Sequence, residues 1–106
     1  MSETANITSP IVEALKQMGW MAIRLNSGAA RMGKRYIKLC PAGTPDIVAF
    51  KSDEPVWWIE TKDERDLNRK GETASKQAEF RATVLALGHR HTRATCVDDV
   101  LAALTR

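Results

Sequence analysis

Asp46, Glu60 and Lys62 are the residues of this chain whose types and spacing could do chemistry together. Asp46 stands behind Gly43-Thr44-Pro45, and Glu60 and Lys62 close the run Val56-Trp57-Trp58-Ile59-Glu60-Thr61-Lys62. Two carboxylates supply the hard oxygen ligands that Mg²⁺ prefers. An ammonium beside them can stabilise charge on a phosphate or help activate a water. The set suits metal-assisted hydrolysis of a phosphodiester. The same residue types also fit an ion pair at the surface end of a strand, and Glu-x-Lys alone recurs by chance in many proteins.

The flanking elements decide whether the three can meet. Ile47 to Phe50 is a short apolar run behind a Pro, and Val56 to Ile59 is aromatic and β-branched, so both read as strands. The linker Lys51-Ser52-Asp53-Glu54-Pro55 is short and polar, which predicts a hairpin. A hairpin sets the start of its first strand beside the end of its second, and so Asp46 near Glu60 and Lys62. Side chains alternate along a strand, so Glu60 and Lys62 share a face.

Pro45-Asp46, a gap, then Glu60-Thr61-Lys62 resembles the motif of the PD-(D/E)xK nuclease superfamily. Almost the whole chain resembles one branch of it, the VRR-NUC domain, in its small stand-alone phage and bacterial form. The similar features are an opening helix ending at Gly19, a strand ending in Asn26-Ser27-Gly28, then Gly43-Thr44-Pro45-Asp46 and Glu60-Thr61-Lys62. After these come a helix opening with Ser75-Lys76-Gln77, a Gly88 stop, a strand, and a closing helix begun by Asp98-Asp99-Val100. The ordered set is far more specific than any single piece.

The resemblance implies a restriction-endonuclease-like α/β core and a Mg²⁺- or Mn²⁺-dependent DNA endonuclease. Asp46 and Glu60 would be metal ligands, with the backbone carbonyl of Thr61 between Glu60 and Lys62. Lys62 would stabilise the attacked phosphate or orient the water. Gln77 would face the active site. Phe80 stands where a related pattern has Tyr, so any role needing that hydroxyl is lost. Glu3 is the candidate for an acidic ligand carried by the first helix; Glu13 lies opposite that helix's apolar stripe and reads as a surface residue. Small relatives of this kind look like junction-resolving homodimers, which implies branched DNA such as four-way junctions as substrate. A non-catalytic nucleic-acid-binding module, a monomeric flap or duplex nuclease, and restriction-type cutting at a fixed sequence are the alternatives.

Composition is compatible with this. A chain of 106 residues, 43% hydrophobic and 27% charged, suits one soluble domain with one modest core, and we take 1–106 as that domain. It is too short for a separate sequence-reading domain, which favours recognition of DNA shape and backbone. No apolar run approaches a membrane span, and the first residues lack the regions of a signal peptide, so an intracellular protein is expected. There is no phosphate-cradling Gly-rich loop and no zinc spacing, so no small-molecule cofactor is expected. Cys40 and Cys96 sit in strand-like runs and read as small core residues. Net charge is +3, mildly basic. Arg24, Arg31, Lys34, Arg35 and Lys38 flank the proposed site in sequence and as a group suit phosphate contacts.

Read in order, residues 1–8 are polar and expected to be loose, with Ser9 capping a helix that starts at Pro10. Ile11, Leu15 and Met18 recur at helical spacing, and Gly19 stops the helix. Trp20 to Leu25 reads as a strand, Asn26 to Lys34 as a basic loop or hairpin tip, and Arg35 to Leu39 as a second short strand. Asp63 to Ser75 reads as a solvated loop, with Ser75 capping a helix that turns Ala78, Val84, Leu85 and Leu87 to the core. His91 to Val97 is strand-like and Asp98 opens the last helix. His89 and His91 read as exposed, and Trp57 and Trp58 as core. The order is helix, strands, helix, strand, helix, an α/β sandwich with a mixed sheet. A dimer surface is expected at the first helix and the loop 26–34, where Met32 is an apolar residue in a basic setting.

Overall fold

A computed structural model describes residues 3–25, 29–33, 35–38, 43–62 and 71–104; for 3–6, 29–32, 35–38 and 73 the description is of backbone alone. The elements are α1 (Glu3–Gln17), β1 (Met21–Arg24), β2 (Ala29–Met32), β3 (Arg35–Lys38), β4 (Ile47–Phe50), β5 (Trp57–Thr61), α2 (Glu72–Ala86), β6 (Arg90–Ala94) and α3 (Val97–Leu104). Four strands form a mixed sheet in the order β1-β4-β5-β6, and β2 pairs with β3 in a separate antiparallel hairpin. β1-β4 and β4-β5 are antiparallel, whereas β5 and β6, joined through α2, run parallel. The fold is α/β with helices on both faces of the sheet, as a restriction-endonuclease-like core requires.

The strand 57–61 is read differently from its two sides. Trp57, Ile59 and Thr61 face α1 and α3, where Ile11, Leu15, Trp20, Ile47, Ala94 and Val100 complete a buried core. Trp57 is the centre of that core. Its ring meets Trp20 edge-on at 5.3 Å, and its indole N–H donates to Thr92 Oγ1 at 2.9 Å. The Arg90 guanidinium lies 4.5 Å over the ring and donates to the Ala103 carbonyl, which ties α3 to the sheet. Trp58 and Glu60 face the other way, toward α2, where Trp58 packs edge-on against Phe80 at 5.0 Å. Trp57 is therefore core as expected, and Trp58 is half-buried under a helix.

Both helix stops fall at the expected glycines. Gly19 N–H donates to Lys16 and Trp20 N–H to Leu15; Gly88 N–H donates to Leu85 and His89 N–H to Val84. Each pair satisfies the last carbonyls in the pattern of a Schellman cap.

Several expected boundaries shift. The segment 1–8 is helical from Glu3 onward, and Pro10 lies inside α1 rather than at its start. Pro10 is on the exposed side, where its missing N–H is least costly, while Thr8, Ile11 and Leu15 form one buried stripe that crosses it. Packing of that stripe on the sheet outweighs a local break of about 3 kcal/mol. Of the two readings of the basic stretch 26–34, loop or hairpin tip, the second holds: it carries β2, which pairs with β3 across a turn that includes Gly33. α2 begins at Glu72, after Gly71, three residues before Ser75. Of the four residues expected to face the core from α2, Val84 is buried, whereas Ala78, Leu85 and Leu87 are exposed. Its sheet-facing stripe is instead the narrow run Ala74, Gln77, Phe80, Val84. Cys96 is exposed, because β6 ends at Ala94 and Cys96 belongs to the bend before α3. His89 and His91 are half-buried rather than exposed, since both lie where α2 turns back onto β6. Cys40 lies outside the described residues, as do residues 63–70, where a solvated loop was expected.

A candidate carboxylate site at the end of the central hairpin

The hairpin register places Ile47 opposite Ile59, which puts Asp46 and Glu60 across from each other one step further on. Asp46 is fixed from the neighbouring strand. Its Oδ2 accepts the Thr61 backbone N–H at 3.0 Å and the Thr61 hydroxyl at 2.8 Å. Because that hydroxyl spends its one proton on Asp46, the Thr8 hydroxyl must be the donor in the 3.0 Å bond between the two threonines. A directed chain thus runs from α1 through Thr61 to Asp46. Among the described residues both bonds to the carboxylate fall on Oδ2 and none on Oδ1.

Glu60 is held from the other face of the sheet. It is 5% exposed, and its Oε1 accepts the Gln77 side-chain N–H at 2.9 Å. Its Oε2 is buried without a hydrogen-bond partner among the described residues. Burial pushes the carboxyl up to about 8, the Asp46 charge adds to the rise, and Lys62 and Arg93 pull it down. A carboxyl of this kind needs either a proton or a cation. The orphaned Oε2, the Oδ1 of Asp46 and the neighbouring Thr61 main chain form a set of hard oxygens, which fits Mg²⁺ or Mn²⁺ and not a soft metal. Among the described residues no cluster of three or more His, Cys, Asp or Glu surrounds the pair. The remaining ligands of a hard cation would be water and substrate oxygens, which is how Mg²⁺ is commonly held.

Lys62 follows β5, and its N–H continues the parallel ladder by donating to Ala94 at 2.9 Å. Its half-buried side chain acts electrostatically on Glu60, as the alternation along β5 requires. Gly43 closes the site from behind. At φ +87° it adopts a conformation that L side chains rarely take, and a Cβ there would stand 2.3 Å from the Lys76 carbonyl. The turn before Asp46 therefore packs directly on the α2 peptide that leads into Gln77.

The other expected contributors divide. Arg24 is exposed at the same end of the sheet, and in register with Ile47 it belongs to the α1 side, opposite Glu60. The side chains of Glu3, Arg31, Arg35 and Lys38, and the whole of Lys34, lie outside the described residues. Glu13 is exposed. Reading the sequence missed Thr8 and Arg93, and it quoted Gly43 as part of the motif without giving it a packing role. Thr8 was signalled by a polar residue on the buried stripe of α1. Arg93 needed the parallel register, which sets it opposite Glu60.

No family model and no curated protein matches the sequence. Among solved structures, one described as a VRR_NUC domain matches with a TM-score of 0.63 and 16% identity, over 100% of this chain and 98% of that one. At that identity the likeness is one of fold, over the full length of the chain.

Proposed function

We propose that this fold carries a divalent-metal-dependent DNA endonuclease that hydrolyses phosphodiester bonds, with residues 1–106 acting as one nuclease domain. The observation that carries the reading is the buried Glu60 carboxyl with an orphaned oxygen, set opposite Asp46 at a sheet end and kept in place by Gln77. A structural ion pair would satisfy both oxygens, whereas a cation site leaves one for the metal. A bound Mg²⁺ or Mn²⁺ would supply Lewis-acid polarisation of the phosphate and a more acidic water. Asp46, Glu60 and the Thr61 carbonyl would hold it; Thr61, itself bound by Thr8, holds Asp46 through Oδ2. Gln77 holds Glu60 by Oε1. Lys62 contributes a positive charge beside the attacked phosphate. Glu3 in the first turn of α1, and Arg24, Arg31, Lys34, Arg35 and Lys38 as phosphate contacts, complete the assignment.

The substrate we favour is branched DNA, four-way junctions in particular, cut by a homodimer within the cell. A junction needs paired incisions, and one chain offers one carboxylate pair. Support for a two-copy unit is the apolar strip Met21 (64% exposed), Phe50 (41%) and Ile23 (38%), on the part of the sheet that α2 leaves uncovered. Among the described residues no helix is long and apolar enough to cross a membrane. The test is cleavage of labelled duplex, flap, fork and four-way junction with Mg²⁺ or Mn²⁺. Wild type cuts the junction in pairs; Asp46→Asn and Glu60→Gln do not cut; Lys62→Ala binds DNA in Ca²⁺ and does not turn over. Mixing wild type with excess Asp46→Asn turns paired cuts into single nicks. Cleavage by Asp46→Asn at the wild-type rate would place the metal elsewhere, and binding without cleavage by wild type would make the chain a non-catalytic module.

A further inference from the structure

β1 is an edge strand, and its outer side is open. Leu25 N–H donates to the Asp46 carbonyl, in the same ladder that sets Ile23 across from Val48 and Met21 across from Phe50. Bonded and non-bonded pairs alternate along an antiparallel ladder. Met21 and Ile23 therefore spend their peptide groups on β4, whereas those of Ala22 and Arg24 point away from the sheet. Among the described residues no strand or loop pairs with them. The side chains of β1 add an apolar surface to this edge. Met21 (64% exposed) and Ile23 (38%) stand on the α2 side, next to Phe50 (41%). Arg24, the one charge of the strand, belongs to the other face. An edge with no charge on its apolar face is a template for another strand.

We propose that this edge joins two copies of the chain, β1 antiparallel to β1, so that two four-stranded sheets become one continuous sheet. This rests on the two-copy reading above and names its surface. A second copy is the occupant because the strand complements itself. About a two-fold axis at Ala22, perpendicular to the sheet, Ala22 and the partner's Ala22 exchange their outward N–H and carbonyl groups. Met21 then meets the partner's Ile23 in a non-bonded pair, where Cα atoms are about 4.5 Å apart and side chains pack closest. The two apolar strips run on as one, from Phe50 through Met21 to the partner's Ile23. Such a contact is isologous and closes at two copies. The same axis keeps the α2 sides of both copies on one face, so both carboxylate pairs open toward the same DNA. Asp46 lies across from Leu25, three residues from the axis, on the next strand in. From the rise per residue and the spacing of strands, the two Asp46 positions are roughly 25 Å apart. That is about seven base pairs along B-DNA, within reach of a single junction.

The experiment is disulfide trapping with sedimentation beside it. In protein carrying Cys40→Ser and Cys96→Ser, which removes both native thiols, Met21→Cys copies are mixed with Ile23→Cys copies and oxidised. The mixture forms a cross-linked dimer. Neither variant does so alone, because like positions sit about 7–8 Å apart on the diagonal, beyond the reach of a disulfide. In sedimentation at micromolar concentration, wild type has twice the mass of one chain. Met21→Lys has the mass of one chain with an unchanged circular-dichroism spectrum. Leu87→Lys, on an apolar residue 69% exposed at the end of α2, stays a dimer. A dimeric wild type whose mixture does not cross-link, or whose Met21→Lys variant remains a dimer, overturns this surface and leaves the two-copy reading standing. Equal cross-linking by either variant alone overturns the register. A monomeric wild type overturns the surface and the two-copy reading together, while cleavage by that monomer would keep the nuclease reading.

Discussion

Glu60 makes the metal-free protein sensitive to base. In the unfolded chain its carboxyl ionises near 4.5, whereas in the fold it holds its proton to about 8. Between those two values the folded state binds the proton that the unfolded state has released. Raising pH therefore favours unfolding. The stability this group contributes is fully present below pH 4.5, declines through the window, and is gone above pH 8. The difference is 3.5 units, from 8 minus 4.5. At about 1.4 kcal/mol per unit that is at most roughly 5 kcal/mol, and relaxation around the ionised carboxylate brings it toward 2 kcal/mol. Either figure is large against a domain stability of about 5–15 kcal/mol. The assay is urea unfolding in EDTA from pH 5 to 8, for wild type and Glu60→Gln. The wild-type midpoint falls with pH, and Glu60→Gln, nearly isosteric with the protonated side chain, stays almost level. Adding Mg²⁺ at pH 8 restores wild type and does nothing for the variant. A wild-type midpoint that is level or rises over this window refutes the reasoning.

Gly43→Ala forces the turn off the Lys76 carbonyl; we expect a loss of more than about 1 kcal/mol in urea unfolding, with slower single-turnover cleavage because Gln77 moves away from Glu60. Thr8→Val removes the first donor of the chain to Asp46 and should cost roughly 1 kcal/mol; Thr8→Ser keeps the donor and should restore metal affinity measured by calorimetry, whereas equal metal affinity in Thr8→Val and wild type would break the link. Arg90→Met removes the cation over Trp57 and the bond to Ala103 and should lower stability by roughly 1–2 kcal/mol, with cleavage by the folded fraction unchanged.

The hairpin and its register were legible because local chemistry states them. Pro45, a five-residue polar linker and two apolar runs leave few other ways to pair. The helix stops at Gly19 and Gly88 were legible for the same reason. What the sequence hid was non-local. Pro10 argues locally for a helix start, and only the sheet beneath Thr8, Ile11 and Leu15 carries the helix back to Glu3. The start of α2 was obscured by a polar stretch on both sides of Gly71 and by a helix in which, among the described residues, Val84 alone is buried. The bond between Thr8 and Thr61 spans 53 residues, and the stripe on which Thr8 lies says nothing of which residue it meets. Arg93 could be set against Glu60 only once β5 and β6 were known to be parallel.

The two-sidedness of β5 gives the strand something like a reading frame. Its alternate residues are two interleaved messages, one addressed to the core and one to the chemistry. A residue gained or lost in the turn 51–55 changes only the length of a connector. The same indel inside 57–61 would exchange the messages, turning Ile59 toward α2 and Glu60 into the space between Trp57 and α1. Substitutions in this strand can drift along either message independently, but its length cannot drift at all. Among variants of this chain, the segment from Trp57 to Thr61 should be a place where insertions and deletions are not found.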